Sequence, residues 1–324
     1  MIQNKTRFFG RETQKAAIFN ALSAETPQCV SILGDRRIGR SSLLWNLKQT
    51  YRDHLREADR FRFAYVDVAR DTCSTPNEFY AEAIQAMFGD RHKSLTPHEF
   101  DDLLYENDPS GRTRYVFLLD EFNVLQRRRD QFDDDFYDGL RSRANAGELT
   151  IVLATHVPLA DIAVQNDFSS TFFSIFNPVT LGSFQRGEAL ASVTRSADPQ
   201  LTQRDFGMIE NWINKTYHPL KLNIAADLLW QAQPNPNLER VKYDYDEEIT
   251  YRFGLTASVR RREHNQQIRR KQRIDAIRTG VIAFINAHPV VTFSIVIFIL
   301  FLLSGTLTPQ QLWQALLNLV TDAP

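Results

Sequence analysis

Over the first two-thirds of the chain, short apolar runs alternate with stretches of helical period, the pattern of a parallel sheet covered by helices. Residues 29–33 (CVSIL) form an apolar run that stops at Gly34, and 41–55 then place Leu43, Leu44, Leu47 and Leu55 on one broad helical face. A second strand is expected over 61–68 and a third over 115–119 (YVFLL). The third is apolar without alternation, as suits a strand covered on both faces. A fourth is expected over 150–154. Helices are expected over 77–88, 96–105 and 132–146, with Thr96 and Glu99 spaced as a capping box. Beyond Pro178 the strand signal stops, and 183–195, 203–215 and 220–232 read as three helices of a small subdomain. A Pro-Asn-Pro-Asn break follows at 234–237, and an acidic patch at 244–248.

Composition adds little to this picture. The chain has 324 residues, 43% hydrophobic and 24% charged, which excludes disordered and fibrous classes. Cys29 and Cys73 are its only cysteines, too few for a disulfide framework and without metal-ligand spacing. The first residues are polar and lack the apolar core of a secretory signal, so the bulk is expected to stay on the side where it is made.

The chemistry is carried by Gly34-Asp35-Arg36-Arg37-Ile38-Gly39-Arg40-Ser41, with Ser42 beside it. This fits the P-loop pattern, with Arg40 where lysine is usual. Glycines let the backbone wrap phosphates, the amide N–H groups point inward, and the following helix start favours an anion. Arg40 would reach the phosphates and the Ser41 hydroxyl would ligate Mg²⁺. Asp120 and Glu121 follow the buried third strand, the arrangement of a Walker B pair. There Asp120 would hold the Mg²⁺ shell and Glu121 would polarise the attacking water. Thr155 and His156 close the fourth strand. Either suits a γ-phosphate sensor, and either suits a plain polar strand end.

Taken as a set, four segments resemble the AAA+/STAND group of P-loop ATPases, in particular the archaeal-type ATPases and their bacterial relatives. They are Phe9-Gly10-Arg11-Glu12, residues 33–44 (LGDRRIGRSSLL), residues 118–122 (LLDEF) and Tyr217-His218-Pro219-Leu220. The resemblance covers about 8–232 and implies ATP and Mg²⁺ as cofactors and a homo-oligomer. It implies that Gly10 and Arg11 lie near the adenine, and that His218 and Pro219 pack on the nucleotide from a helical lid. Two departures stand out: Arg40 replaces the P-loop lysine, and Thr216 and Tyr217 replace glycines before the lid His-Pro. Arginine is longer and planar, which suits phosphate binding more than fast transfer. A slow ATPase is therefore expected.

The chain near its C-terminus reads as a membrane anchor. Residues 283–305 are a 23-residue stretch without charge, and a span needs about 20 apolar residues. Between 258 and 278 eight Lys or Arg face Glu263 and Asp275, a net of +6, while the chain after Gly305 has no basic residue. The positive-inside rule then puts the NTPase in the cytoplasm. The arginines also suit nucleic acid, but their place beside the span favours lipid headgroups.

The expected organisation is an α/β P-loop NTPase core with a parallel sheet over 1–180 and a helical lid over 181–233. A linker and basic segment over 234–280, a transmembrane helix over 281–305 and a short outer tail over 306–324 complete it. The function expected is a membrane-anchored, nucleotide-driven switch that assembles or signals, with defence as one setting and a protein partner still to be identified. The alternatives are a turning-over ATPase that powers a membrane assembly or transport complex, and a scaffold that keeps its nucleotide.

Overall fold

The computed structural model describes residues 8–195 and 201–254, and the chain divides into two units, Met1–Ile249 and Thr250–Pro324. Of the second unit only 250–254 are described, and they are helical. The basic segment 258–278, the expected span 281–305 and the tail 306–324 lie outside the described residues. Among the described residues no helix is long and apolar enough to cross a membrane.

Five parallel strands form one sheet: β1 (Val30–Gly34), β2 (Phe61–Asp67), β3 (Arg114–Asp120), β4 (Leu149–Thr155) and β5 (Asn177–Leu181). Their spatial order is β2-β3-β4-β1-β5. The chain leaves β1 for the far edge, steps back through β3 and β4, and places β5 on the other side of β1. The carboxyl end of β1 is thus where connections part in opposite directions, the crevice in which open α/β sheets hold ligands.

The two-residue period of the strands divides their side chains between two cores. Ala64, Val66, Phe117, Leu119, Ile151 and Leu153 pack on one face, with Phe79, Tyr80 and Ile84 of α3 (Pro76–Phe88) and Phe136 and Leu140 of α5 (Asp134–Asn145). Phe61, Phe63, Val116, Leu118, Val152 and Ala154 pack on the other. That face is covered by Ile18 and Leu22 of α1 (Glu12–Ser23) and Leu43, Leu44 and Leu47 of α2 (Arg40–His54). Double coverage is why β3 and β4 read as continuous apolar runs.

The fifth strand departs from the sequence expectation, which ended the sheet near Pro178. β5 is an edge strand paired only with β1, and of its residues only Leu181 is buried. A proline is tolerated on such an edge, where a missing N–H costs no ladder bond on the open side. Between these elements lie α4 (Pro97–Asn107) and α6 (Leu159–Asn166).

Three helices then follow, α7 (Arg186–Arg195), α8 (Gln203–Trp212) and α9 (Pro219–Gln231). They share a separate core that includes Val193, Phe206, Ile209, Leu222 and Leu229. Residues 238–249, expected to be linker, continue as a helix, α10 (238–254), that buries Val241 and Tyr245 in the same core. The acidic composition of 244–248 conceals this, because Tyr245 is the one buried position among four carboxylates.

Thr75 caps α3: its hydroxyl accepts from the Glu78 amide, and the Glu78 carboxylate accepts from the Thr75 amide. The boxes at Thr96 on α4 and Thr202 on α8 are built the same way. Replacing Thr75 by alanine should cost about 1 kcal/mol. An equilibrium urea titration would show it as a lower midpoint at unchanged slope.

Candidate functional site

The P-loop begins where β1 ends. A Cβ on Gly34 would lie 2.8 Å from Ile38 Cγ2 and 2.9 Å from the Leu181 carbonyl oxygen, so the close approach of loop and β5 requires glycine there. Ile38 is buried in the core beneath α2, and its amide donates to the Asp35 oxygen at 3.3 Å, which closes the loop. Gly39 has φ +103°, a left-handed conformation at the N-cap of α2, and Arg37 is also left-handed. No side chain caps this helix and no acid stands in its first turn. A helix start without a side-chain cap is the design of an anion site.

Arg40 is only 5% exposed. Its Nη1 donates to the carbonyls of Gly34 and of Asp35, the latter at 2.7 Å, and its Nη2 stands 3.6 Å from Glu121 Oε1. Its Nε is a buried donor without a hydrogen-bond partner. Burial lowers the pKa of the guanidinium, and the charges of Glu121 and Asp120 restore part of it. Glu121 answers in kind: burial raises its carboxyl, while Arg40 pulls it down. The residue after β3 is also left-handed, with φ +52° at Glu121, a strained backbone of the kind found where side-chain direction matters.

Asp120 is 3% exposed, and both its oxygens are engaged. Oδ1 accepts from the Glu121 amide at 2.9 Å and Oδ2 from the Tyr65 hydroxyl at 2.7 Å. Asp67 stands opposite Asp120 in the β2–β3 register. Burial and the charge of Asp120 push the Tyr65 hydroxyl well up, so it stays a donor. Tyr65 was not singled out in the sequence, where it is one aromatic in an alternating strand.

The N-terminal segment is tied to the lid. The Arg11 guanidinium, 4% exposed, donates to the Gly182 oxygen at 2.7 Å and the Ile38 oxygen at 3.4 Å, and lies 4.5 Å from the centre of the Phe184 ring. Its amide donates to Glu188 Oε1 of α7 at 2.8 Å. Gly10 is left-handed, and a Cβ there would meet the same oxygen at 2.9 Å. The Arg11 side chain therefore joins the P-loop and the lid entry.

His218 is the N-cap of α9: its Nδ1 accepts from the Leu220 amide at 3.2 Å, and Pro219 fills the first helical position. Burial, with help from Lys221 and Arg11 and against Asp35, pulls its pKa down to about 4. Tyr217, in place of glycine, sends its hydroxyl to Glu210 at 2.6 Å, where Arg186 also binds through both nitrogens. Its carbonyl accepts from the Phe184 amide, so the departure from the lid pattern is built into lid packing.

Ser41 and Ser42 lie half-buried in the first turn of α2. Thr155 does not present its hydroxyl to the loop. It donates to the Val157 oxygen at 2.9 Å and accepts from the Val157 amide, closing its own turn. His156, beside it, is half-buried.

The donor set suits a nucleoside triphosphate: uncapped amides, an unpartnered buried guanidinium N–H, and oxygen groups at Ser41 and Asp120 of the kind Mg²⁺ takes. No family model and no curated protein matches the chain. Solved structures do. The Walker-type ATPase PABY2304 of Pyrococcus abyssi superposes with a TM-score of 0.58 at 18% identity, over 81% of this chain and 79% of that one. The ADP form of Aeropyrum pernix ORC2 gives 0.57 at 15% identity, over 73% and 67%. Aeropyrum pernix ORC1 in complex with DNA gives 0.52 at 16%, over 75% and 66%.

The chain shares its fold with these solved structures. At such identities the likeness carries the fold, and the site rests on the geometry above.

A proton on His218 would remove the acceptor that caps α9. Its ordinary pKa is 6.5 and its folded value about 4, so unfolded chains take up a proton that the folded lid excludes. The stability due to this group is complete above pH 6.5 and is lost as the pH falls toward 4. In His218→Asn, which keeps a capping side chain, the fall of melting temperature over that window should be shallower than in the parent. Identical slopes would show that His218 titrates as in the unfolded chain.

Proposed function

We propose that the protein is an ATP-binding, Mg²⁺-dependent switch of the AAA+/STAND kind, a slow ATPase held to a membrane by one helix over 281–305. The observation that carries the nucleotide reading is the contact between Arg40 and Glu121. The P-loop cation opens α2 after β1 and the Walker B glutamate follows β3, with β4 between the two strands, yet they meet at 3.6 Å. Such convergence is what a site for phosphoryl transfer needs.

The amides of 35–41 and Arg40 would hold the phosphates, with the Ser41 hydroxyl and the Asp120 carboxylate toward Mg²⁺. A metal held by these two groups would supply positive charge against the phosphates. In hydrolysis a water oxygen bonds to the γ-phosphorus, the bond to the ADP oxygen breaks, and Glu121 takes the proton of the water. Arg40 must first leave the carbonyls of Gly34 and Asp35, and Glu121 must leave Arg40. Both partings raise the barrier and favour a state that binds and waits. The contacts of Gly10, Arg11, His218 and Pro219 around the loop and lid support a lid that responds to nucleotide, and a homo-oligomer is the assembly it would control.

Arg40→Lys gives a shorter cation with a single nitrogen, which frees Glu121. Its turnover should rise while ATP affinity stays within a few-fold, and Glu121→Gln should bind ATP without hydrolysing it. Single-turnover and steady-state phosphate release measure both. A large loss of activity in Arg40→Lys would make the arginine a working part of fast catalysis, and rapid parent turnover would select the motor reading over the switch.

The membrane reading is supported by the uncharged stretch 283–305 and the +6 segment before it. Deleting 289–324 should move the protein to the soluble fraction with nucleotide binding intact. A reporter active only outside the cytoplasm should give signal when fused after Pro324 and none after Ala257. Full-length protein that stays soluble without detergent would rule the anchor out.

A further inference from the structure

The groups read as Mg²⁺ ligands stand on different elements, Ser41 on the first turn of α2 and Asp120 at the end of β3. A side chain with no assigned role joins them. Ser41 and Trp45 are four residues apart on α2 and so share a helix face. The Trp45 ring meets the Tyr65 ring edge-on, with centroids 5.3 Å apart and planes at 88°. The Tyr65 hydroxyl in turn donates to Asp120 Oδ2 at 2.7 Å. With Oδ1 on the Glu121 amide, both oxygens of the carboxylate are held.

We propose that Tyr65 is a positioning residue for Mg²⁺: braced by Trp45, its hydroxyl fixes the Asp120 carboxylate at a set place relative to Ser41. The proposal rests on the reading of Asp120 as a metal group. It goes beyond that reading in assigning metal affinity to a residue on β2 that lies outside the P-loop and Walker B segments. Outer groups that orient a ligand carboxylate typically account for roughly 10- to 100-fold in metal affinity. Without the Tyr65 hydroxyl the carboxylate would keep only its bond to the Glu121 amide, and the metal would have to order its other oxygen.

The test is a Mg²⁺ titration of the full-length chain at fixed concentration of a fluorescent ATP analogue, with a parallel measurement in EDTA. Tyr65→Phe keeps the ring against Trp45 and removes one oxygen. Its Mg²⁺ midpoint should rise roughly 10- to 100-fold, while affinity in EDTA and apo melting temperature stay at parent values. In the double variant with Asp120→Asn, the Tyr65→Phe shift should largely disappear, since the hydroxyl acts through that carboxylate. A parent-like midpoint in Tyr65→Phe beside a shifted Asp120→Asn overturns the proposal and leaves the nucleotide site standing. Equal losses with Mg²⁺ and in EDTA, or shifts that simply add, overturn it as well. A parent chain with no Mg²⁺ effect on binding overturns the site reading itself. Should Tyr65→Phe melt early, Trp45→Phe keeps the hydroxyl and shortens its brace; a parent midpoint in that variant also defeats the proposal.

Discussion

A buried guanidinium between two backbone carbonyls and one carboxylate organises this molecule. Arg40 binds Gly34 and Asp35 at the start of the loop it terminates, and it leans on Glu121 from another strand. Taking such a charge out of water is expensive unless its donors are met. That requirement fixes the loop path, and with it the left-handed turn at Gly39 and the glycine at 34. It also decides which way the strained residue after β3 must point. Only Nε is left without a hydrogen-bond partner.

Much of the fold was legible because burial on both faces leaves a plain mark. β1 to β4 and the helices covering them follow from apolar runs and from period, and the box at Thr96 from two residues at the right spacing. β5 was not legible: its residues are mostly exposed, and its strand character comes from the β1 ladder and not from its own side chains. The start of α10 was hidden for the opposite reason. Two buried positions, Val241 and Tyr245, hold the helix to its core, and the acidic run around Tyr245 conceals so narrow a stripe.

At the site, the loop and the Asp120-Glu121 pair could be found because their chemistry is local in sequence. Tyr65 could not, since its meaning comes from the strand beside it: in register, β2 brings a hydroxyl to the carboxylate that ends β3. Thr155 shows the reverse. Its place at a strand end is as expected, but two bonds to Val157 turn the hydroxyl into a local turn closure. Position on a strand end gives proximity to the site; direction depends on which backbone group is nearest.

Arg11 and His218 show how the loop and the lid can be one mechanical unit. Arg11 holds the Ile38 and Gly182 carbonyls at once, while Glu188, from the lid, accepts from its amide. Any shift of the loop at Ile38 is therefore felt at the lid entry, where Phe184 lies on the Arg11 cation and its amide is bound to Tyr217. Tyr217 leads directly into His218, whose imidazole must stay neutral to cap α9 and which feels the charges of Asp35 and Arg11. From α9 the path is solid packing, through Leu222 and Leu229 to Val241 and Tyr245 of α10. A lid that tilts on its Gly182 connection must carry the first turns of α10 with it. Their buried side chains, Val241 and Tyr245, belong to its core, so the start of this helix and the three helices before it pack together.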